Sequence, residues 1–102
     1  MSGTLITHEP ARHRYSLTAD GALAGLATYR EQPGAIVVLH TEIDPALGGR
    51  GLGSELVAHI LEDARARDLS VLPRCPFVSD YMRRHPEYTD LVPAEHRARF
   101  GL

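Results

Sequence analysis

The sequence predicts a mixed α/β fold (α+β, built on a mixed sheet): an antiparallel meander of about four strands, a central helix, a further strand and a second helix. Three observations predict it. Short apolar segments in the first half are separated by turn residues at Asp20-Gly21 and Gln32-Pro33-Gly34. Apolar residues then recur at helical spacing between positions 51 and 67. Finally, Pro76 is well placed as the first residue of a second helix.

The meander is predicted from four segments of different strength. Residues 4 to 8 alternate weakly between apolar and polar side chains, and Tyr15 and Leu17 share one face of the next segment. Residues 23 to 29 are small and apolar enough to lie in a sheet. The strongest strand is Ala35 to Ile43, because its first half is apolar on both faces, as expected at the centre of a covered sheet.

The polarity of this long strand changes toward its carboxyl end. Counting alternate residues puts His40 and Glu42 on the same face as Ile36 and Val38. Open α/β sheets bind ligands at the carboxyl ends of central strands. His40 and Glu42 are therefore candidate bases, and the alternative is a hydrogen-bonded structural pair at the sheet edge.

The second half is predicted to be mainly helical. The helix from 51 to 67 presents an apolar face to the sheet, and Asp68 takes the left-handed position that often follows a helix. Ser70 to Leu72 is a short strand, and the helix starting at Pro76 must stop near His85, ahead of Pro86. Residues 93 to 100 are predicted to form a short terminal helix with Arg97 and Arg99 exposed.

Length and composition limit the classes of function. The 102 residues support one domain, 1–102, and we expect a monomer or weak dimer. A net charge of −2 and a pI of about 6.3 argue against nucleic-acid or anionic-membrane binding. One cysteine excludes an internal disulfide, and no apolar run has the length of a signal h-region or a membrane span, so cytoplasmic residence is expected. The histidines lack the spacing of a zinc site, so no metal is predicted.

A glycine-rich turn, Gly48-Gly49-Arg50-Gly51-Leu52-Gly53, joins the long strand to the central helix. Backbone N–H groups at the start of a helix lack acceptors, and the helix dipole adds partial positive charge there. Glycines at 51 and 53 allow a diphosphate to approach the main chain closely. The turn therefore predicts a phosphate-binding site, with an ordinary flexible loop as the alternative.

Several segments together resemble one family. They are His40-Thr41-Glu42, the glycine turn, Cys75-Pro76-Phe77-Val78 with Tyr81, and Arg83-Arg84-His85-Pro86-Glu87-Tyr88. With this order of elements, the chain resembles the GNAT superfamily of acetyl-CoA-dependent N-acetyltransferases, and most closely its very small one-domain members. The resemblance implies that the strand after the central helix runs parallel to the long strand. It also implies that acetyl-CoA lies in a cleft where these two strands separate.

The resemblance implies a set of cofactor-binding residues, with the diphosphate on the backbone N–H groups of the glycine turn. The set is Ile43, Gly49, Arg50, Gly51, Leu52, Gly53, Ser54, Arg83 and Arg84. For Arg50 the alternative is a solvated loop position. Arg83 and Arg84 could instead meet a negatively charged partner, or form an exposed basic helix face, which is the more frequent arrangement. The family usually has Gln or Arg where this chain has Gly48, so one side-chain contribution to the turn is missing.

Two mechanisms remain open for moving the acetyl group to a primary amine. Cys75 is predicted at the start of the second helix beside Arg74, where the dipole and the cation stabilise a thiolate, so an exposed Cys75 is a candidate to take the acetyl group first. The alternative is a buried, hydrophobic cysteine. Direct transfer needs a base, His40 or Glu42, and an acid, for which the resemblance suggests Tyr81, unless its ring only packs in the core.

Three functional interpretations follow. The first is an N-acetyltransferase that uses acetyl-CoA and an unidentified amine, small or protein-borne. The second is a non-catalytic module that binds acetyl-CoA, CoA or a protein partner. The third, which the net negative charge disfavours, is a nucleic-acid accessory that uses the Arg-rich C-terminal segment.

Overall fold

A computed structural model describes residues 3–102, which form a five-stranded mixed sheet with helices packed on it. The strands are β1 (Thr4–Glu9), β2 (Arg14–Ala19), β3 (Ala22–Gln32), β4 (Ala35–Ile43) and β5 (Ser70–Pro73), and they lie in that order across the sheet. Neighbouring strands are antiparallel except β4 and β5, which are parallel. The predicted fold class, with four antiparallel strands and one further parallel strand, is confirmed.

The helices begin and end close to the predicted residues. They are α1 (Leu52–Ala66), α2 (Pro76–Arg84) and α3 (Ala94–Arg97), with short 3-10 turns at Pro10–Arg12, Pro45–Leu47, Pro86–Leu91 and Ala98–Phe100. Gly51 caps α1, and Asp68 after its end has a φ of 61°, as predicted. The 3-10 turn before α3 was not predicted, and Arg97 is half-buried because its Nε donates to the Val92 carbonyl.

The core lies between α1 and one face of the sheet. Leu56, Val57 and Leu61 of α1 are fully buried, and they belong to the same cluster as Tyr15 and Leu17 of β2. The predicted shared face of Tyr15 and Leu17 is thus confirmed as the core face. Ile36 and Val38 of β4 belong to this cluster as well, so α1 covers the centre of the sheet on this side.

A bulge in β4 changes the face of its last residues. Val38 pairs with Tyr29 but His40 pairs with Thr28, so the ladder skips Leu39. Ala27, which belongs to the core, pairs with Thr41, and side chains of directly paired residues lie on the same face. His40 and Glu42 therefore lie on the face opposite α1. Their predicted position on the face of Ile36 and Val38 was wrong, because one extra residue in a strand inverts the alternation.

A buried polar contact fixes α1 against β2. The hydroxyl of Tyr15 donates to the Asp63 carboxylate, and Arg67 Nη1 lies 3.3 Å from the same carboxylate. Burial opposes the charged form of Asp63, but the hydrogen bonds from Tyr15 and Arg67 outweigh it, so the pKa lies below its ordinary value of 3.8. The ionised carboxylate therefore stabilises the folded chain.

Replacing Asp63 by asparagine is expected to lower the free energy of unfolding at neutral pH by about 1 to 2 kcal/mol. A folded-state pKa below the unfolded value stabilises the protein above the unfolded pKa, and this stabilisation is lost as the pH falls through the folded pKa. Chemical denaturation of both proteins from pH 7 to 3 should show the difference shrinking in acid. Asp68→Asn is the matched control, since Asp68 is exposed. Its backbone is left-handed, which aspartate and asparagine both tolerate. A difference independent of pH would contradict this account.

Candidate active site

The parallel strands β4 and β5 separate halfway along β4. Their ladder ends at the pair Val38 and Pro73, and the last contact is a hydrogen bond of 3.0 Å from the Cys75 backbone N–H to the Val38 carbonyl. The chain then turns into α2 at Pro76. Beyond Val38, β4 pairs only with β3, through residues 40 to 43, so one edge of β4 is open beside the start of α2.

The glycine turn at the end of this open edge carries unpaired backbone donors. The first helical hydrogen bond of α1 runs from Glu55 N–H to the Gly51 carbonyl, over 3.0 Å. The N–H groups of residues 49 to 54 have no hydrogen-bond acceptor among residues 3–102. Gly49 and Gly51 have φ of 84° and 75°, which favours glycine. Since α1 is 15 residues long, its dipole adds positive potential at these donors.

Residues of the predicted cofactor set differ in what they can offer a ligand. The side chain of Leu52 is buried in the core, so only its backbone faces the turn. Ile43 and Ser54 are half-buried, and Arg50 is exposed without a side-chain partner among residues 3–102. A side chain at Gly51 would point into open space.

Gly53 has a packing role that sequence reasoning missed. A Cβ at this position would lie 2.6 Å from the tip of the Phe77 ring, so the ring would have to move to admit a side chain. The absence of a Cβ therefore lets α2 pack against the first turn of α1. The relevant signal is that Phe77 immediately follows the proline that begins α2, so its ring is placed early in that helix.

Cys75 begins α2, as predicted, but its side chain is buried. It is only 4% exposed, and its Sγ lies 3.5 Å from the Oγ1 of Thr41, to which it donates. Of the two alternatives that the sequence left open, the structure has the buried cysteine, because the helix start is folded against β4. Thr41, which sequence reasoning did not select, forms the facing wall of the cleft and sits on the core face of β4.

His40 and Glu42 form an exposed pair on the other face of β4. The His40 Nε2 and Glu42 Oε1 atoms are 3.2 Å apart, and the two side chains are 59% and 62% exposed. They are thus brought into contact while remaining accessible to a ligand. A depression of about 530 Å³ has Glu42, Thr41 and Ile43 in its wall.

Tyr81 differs from the other three tyrosines in the hydrogen bonding of its hydroxyl. The hydroxyls of Tyr15, Tyr29 and Tyr88 bond to Asp63, His8 and Glu62, respectively. The Tyr81 hydroxyl has no hydrogen-bond partner among residues 3–102. Every buried polar side-chain atom in that range has a partner, so the Tyr81 hydroxyl is not buried and reaches solvent.

The ring of Tyr81 is nevertheless well fixed. It is buried and stacks on His85 with 4.1 Å between ring centroids. Burial, with a smaller contribution from Glu87, raises the pKa of this phenol above its ordinary value of 10.0. Tyr81 is therefore a protonated donor at neutral pH.

The two arginines of α2 point in different directions. Arg84 follows Phe77 by about two turns, so it lies on the face of α2 that is turned toward the start of α1. Arg83 instead pairs with Asp80 and donates from Nη1 to the Phe100 carbonyl, 2.9 Å away. Arg84 is compatible with the predicted cofactor contact, whereas Arg83 is held against the C-terminal turn.

Other kinds of site find no support in the part of the chain that the structure describes. Within residues 3–102 no three His, Cys, Asp or Glu side chains are placed to hold a metal ion. No helix in the same range has the length and apolar character needed to span a membrane.

A family model described as GCN5-related N-acetyl-transferase matches residues 14–91. The chain belongs to the GCN5-related N-acetyltransferases. The match includes β4, the glycine turn, β5 and α2, which together form the cleft. Membership in this acetyltransferase family, whose members use acetyl-CoA, connects the chain with acetyl transfer in general.

Solved structures of acetyltransferases have the same fold. An NMR structure of a GCN5-like protein from Staphylococcus aureus matches with a TM-score of 0.70 and 24% identity, over 91% of each chain. The ribosomal-protein-S18-alanine N-acetyltransferase of Escherichia coli matches with a TM-score of 0.55 and 22% identity, over 57% of this chain and 38% of that one.

A third match is the N-acetylglutamate synthase of Neisseria gonorrhoeae, solved with coenzyme A and N-acetyl-glutamate. Its TM-score is 0.53 at 20% identity, over 96% of this chain and 26% of that one. The chain thus spans well under half the length of the two enzymes from Escherichia coli and Neisseria. At these identities the likeness shows the shared fold.

Proposed function

We propose that the chain is an acetyl-CoA-dependent N-acetyltransferase that moves the acetyl group directly to a primary amine. The observation that carries the proposal is the run of unpaired N–H groups at residues 49 to 54 beside the open edge of β4. Backbone donors at a helix start suit a diphosphate, and an unpaired strand edge suits an amide-containing chain that hydrogen-bonds along it. Acetyl-CoA contains a diphosphate and, between it and the acetyl group, an amide-containing chain.

Direct transfer requires a base that a solvent-borne amine can reach. Glu42, paired with His40, meets this requirement, since both side chains are more than half exposed. In the step proposed, Glu42 takes a proton from the amine, the amine nitrogen bonds to the thioester carbonyl carbon, and the carbon–sulfur bond breaks. Tyr81 gives its proton to the departing CoA sulfur.

The proposal is tested by calorimetric titration with acetyl-CoA and with CoA, followed by a panel of primary amines monitored for free thiol. Binding with turnover supports the enzyme. Binding with no turnover on any amine would favour the non-catalytic module, and no binding of either ligand would refute both.

Tyr81→Phe is expected to lower kcat about tenfold, less than a typical general acid contributes, because a thiolate leaves readily without help. Binding of acetyl-CoA should not change. Tyr88→Phe is the matched control, since it removes a buried hydroxyl bonded to Glu62 on the same side of the molecule. Equal losses of kcat in the two variants would show that the Tyr81 hydroxyl has only a structural role.

Direct transfer and a covalent route differ in whether Cys75 carries the acetyl group. In the covalent route the Cys75 sulfur would bond to the acetyl carbon and CoA would leave with the thiol proton, before the amine releases Cys75. The chain contains no lysine, so acetylation of a lysine side chain cannot obscure the result. We expect Cys75→Ala to retain most of kcat, and wild-type protein mixed with acetyl-CoA to gain no hydroxylamine-sensitive acetyl mass. Rapid acetylation of Cys75 with loss of turnover in the variant would establish the covalent route instead.

A further inference from the structure

A groove rich in arginine lies on the sheet face opposite α1. Its floor includes Val37, which pairs with Arg30 on β3 and with Leu72 on β5. These residues alternate with core residues such as Ile36 and Val71, so they lie on the opposite face. The groove has a volume of about 740 Å³, within the range of small-molecule sites.

The charged side chains lining this arginine groove are all basic. They are Arg30, Arg74, Arg83 and Arg99, contributed by β3, the β5–α2 junction, α2 and the C-terminal turn. None of its lining residues is acidic. Arg83 is paired with Asp80, whereas Arg99 has no carboxylate partner among residues 3–102. Its Nη2 lies 3.0 Å from His96 Nδ1, and its guanidinium lies over the ring of Phe100. Arg30 and Arg74 have no side-chain partner among residues 3–102.

Arginines outside the groove are of two kinds. Among residues 3–102, Arg50, Arg84 and Arg97 have no carboxylate within 4 Å, whereas four others are paired. Arg12, Arg14, Arg65 and Arg67 each lie within 4 Å of a carboxylate. The protein as a whole carries a net charge of −2, so positive groups are not in general excess. The exposed guanidinium groups of Arg30, Arg74 and Arg99 give this groove a local positive potential, which favours an anionic ligand.

The groove reaches the point where β4 and β5 separate. Arg74 and Pro76, both in its lining, are the residues on either side of Cys75, at the point where β4 and β5 separate. His40 and Glu42 lie on the same sheet face as the groove, since His40 pairs with Thr28. Thr28 and Arg30 are successive residues on that face of β3, about 7 Å apart by strand rise.

We propose that the arginine groove binds the acetyl acceptor, and that the acceptor is a small primary amine that carries a carboxylate or phosphate group. Arg30 and Arg74 hold the anionic group, and the amine of the same molecule reaches Glu42. This inference rests on the proposed function, and it adds the chemical class of the substrate.

The test compares amines that differ in their anionic group. Phosphoethanolamine is compared with ethanolamine, and β-alanine with propylamine, using initial rates of CoA release. We expect the anionic member of at least one pair to have a kcat/KM about tenfold higher or more, because its anionic group forms charge-assisted hydrogen bonds with the guanidinium groups. The pair with the larger preference identifies phosphate or carboxylate as the recognised group.

Arg30→Gln and Arg74→Gln should each remove most of this preference by raising KM for the anionic amine, with the Kd for acetyl-CoA unchanged. Arg12→Gln is the matched control, because Arg12 is exposed at the far end of the sheet and 3.8 Å from Glu9. Equal rates for the charged and neutral amines, or a preference unaltered in both variants, would overturn the inference. Weaker acetyl-CoA binding in Arg30→Gln or Arg74→Gln would also overturn it, by assigning the groove to the cosubstrate.

Binding without turnover separates this inference from the proposed function. Chemical shifts of the Arg30 and Arg74 Nε–H groups are followed by NMR while phosphoethanolamine or β-alanine is added to the protein alone. Shifts that saturate support the groove even if acetyl-CoA does not bind, in which case only the proposed function fails. Shifts produced by an unrelated oligonucleotide but by neither amine would overturn the small-molecule assignment.

Discussion

Gly51→Glu should weaken acetyl-CoA binding about 100-fold, or by about 2.7 kcal/mol. The added carboxylate would stand directly before the N–H groups of residues 49 to 54, which have no acceptor among residues 3–102. It would occupy the position and repel the charge of the diphosphate. Since a side chain at Gly51 meets no atom within 4 Å, the effect on binding does not depend on disturbing the core. Isothermal titration calorimetry measures it directly.

Gly34→Glu is a close control for this substitution. Gly34 has a φ of 73°, nearly that of Gly51, and a side chain there also meets no atom within 4 Å. Both variants therefore carry a similar backbone strain of about 1 to 2 kcal/mol, which thermal unfolding can report. Only Gly51→Glu should lose affinity for acetyl-CoA. Equal affinities in the two variants would contradict the assignment of the glycine turn.

Glu42→Gln should lower kcat for amine acetylation about 10³-fold, within the range expected for a general base. Glutamine keeps the size of the side chain and can still bond to His40, but it cannot take the proton from the amine. The acetyl-CoA Kd should remain unchanged, because Glu42 lies on the sheet face opposite α1, away from the glycine turn. Steady-state rates at several pH values measure the loss.

Glu31→Gln provides the comparison for Glu42→Gln, because Glu31 is an exposed carboxylate on the neighbouring strand β3. Its removal changes the net charge equally but should leave kcat unaffected. If Glu42→Gln lost no more activity than Glu31→Gln, His40 or a group outside this pair would have to be the base. His40→Gln then becomes the deciding variant.

Periodicity predicted most of the fold because local side-chain patterns determine it. The long strand from Ala35 to Ile43 and the helix after Gly51 have strong apolar patterns, and both were confirmed within a residue or two. Asp68 and Pro76 mark their boundaries through their own backbone preferences, which need no tertiary information.

The face of His40 and Glu42 could not be predicted in the same way. The bulge at Leu39 depends on how β4 pairs with β3, and Leu39 itself has nothing that distinguishes it from its apolar neighbours. A single extra residue inverts the face of every later side chain. The structure therefore moves the candidate base to the side of the sheet opposite α1.

The burial of Cys75 and the arginine groove also depend on tertiary contacts. Cys75 is buried because the start of α2 returns to Val38 and Thr41 of β4, contacts between residues far apart in sequence. The groove combines arginines from positions 30, 74, 83 and 99, which no local pattern connects. Sequence reasoning named Arg74, Arg83 and Arg99 for separate reasons and did not connect them with each other or with Arg30.

The central claim is that the N–H groups of residues 49 to 54 bind the diphosphate of acetyl-CoA. Backbone amide NMR spectra recorded with acetyl-CoA and with acetyl-pantetheine, which lacks the diphosphate, test it most directly. Acetyl-CoA should shift the amide signals of residues 49 to 54, whereas acetyl-pantetheine should affect the open edge of β4 and leave that group unshifted. Saturable binding of acetyl-CoA with no shift at residues 49 to 54 would contradict the claim.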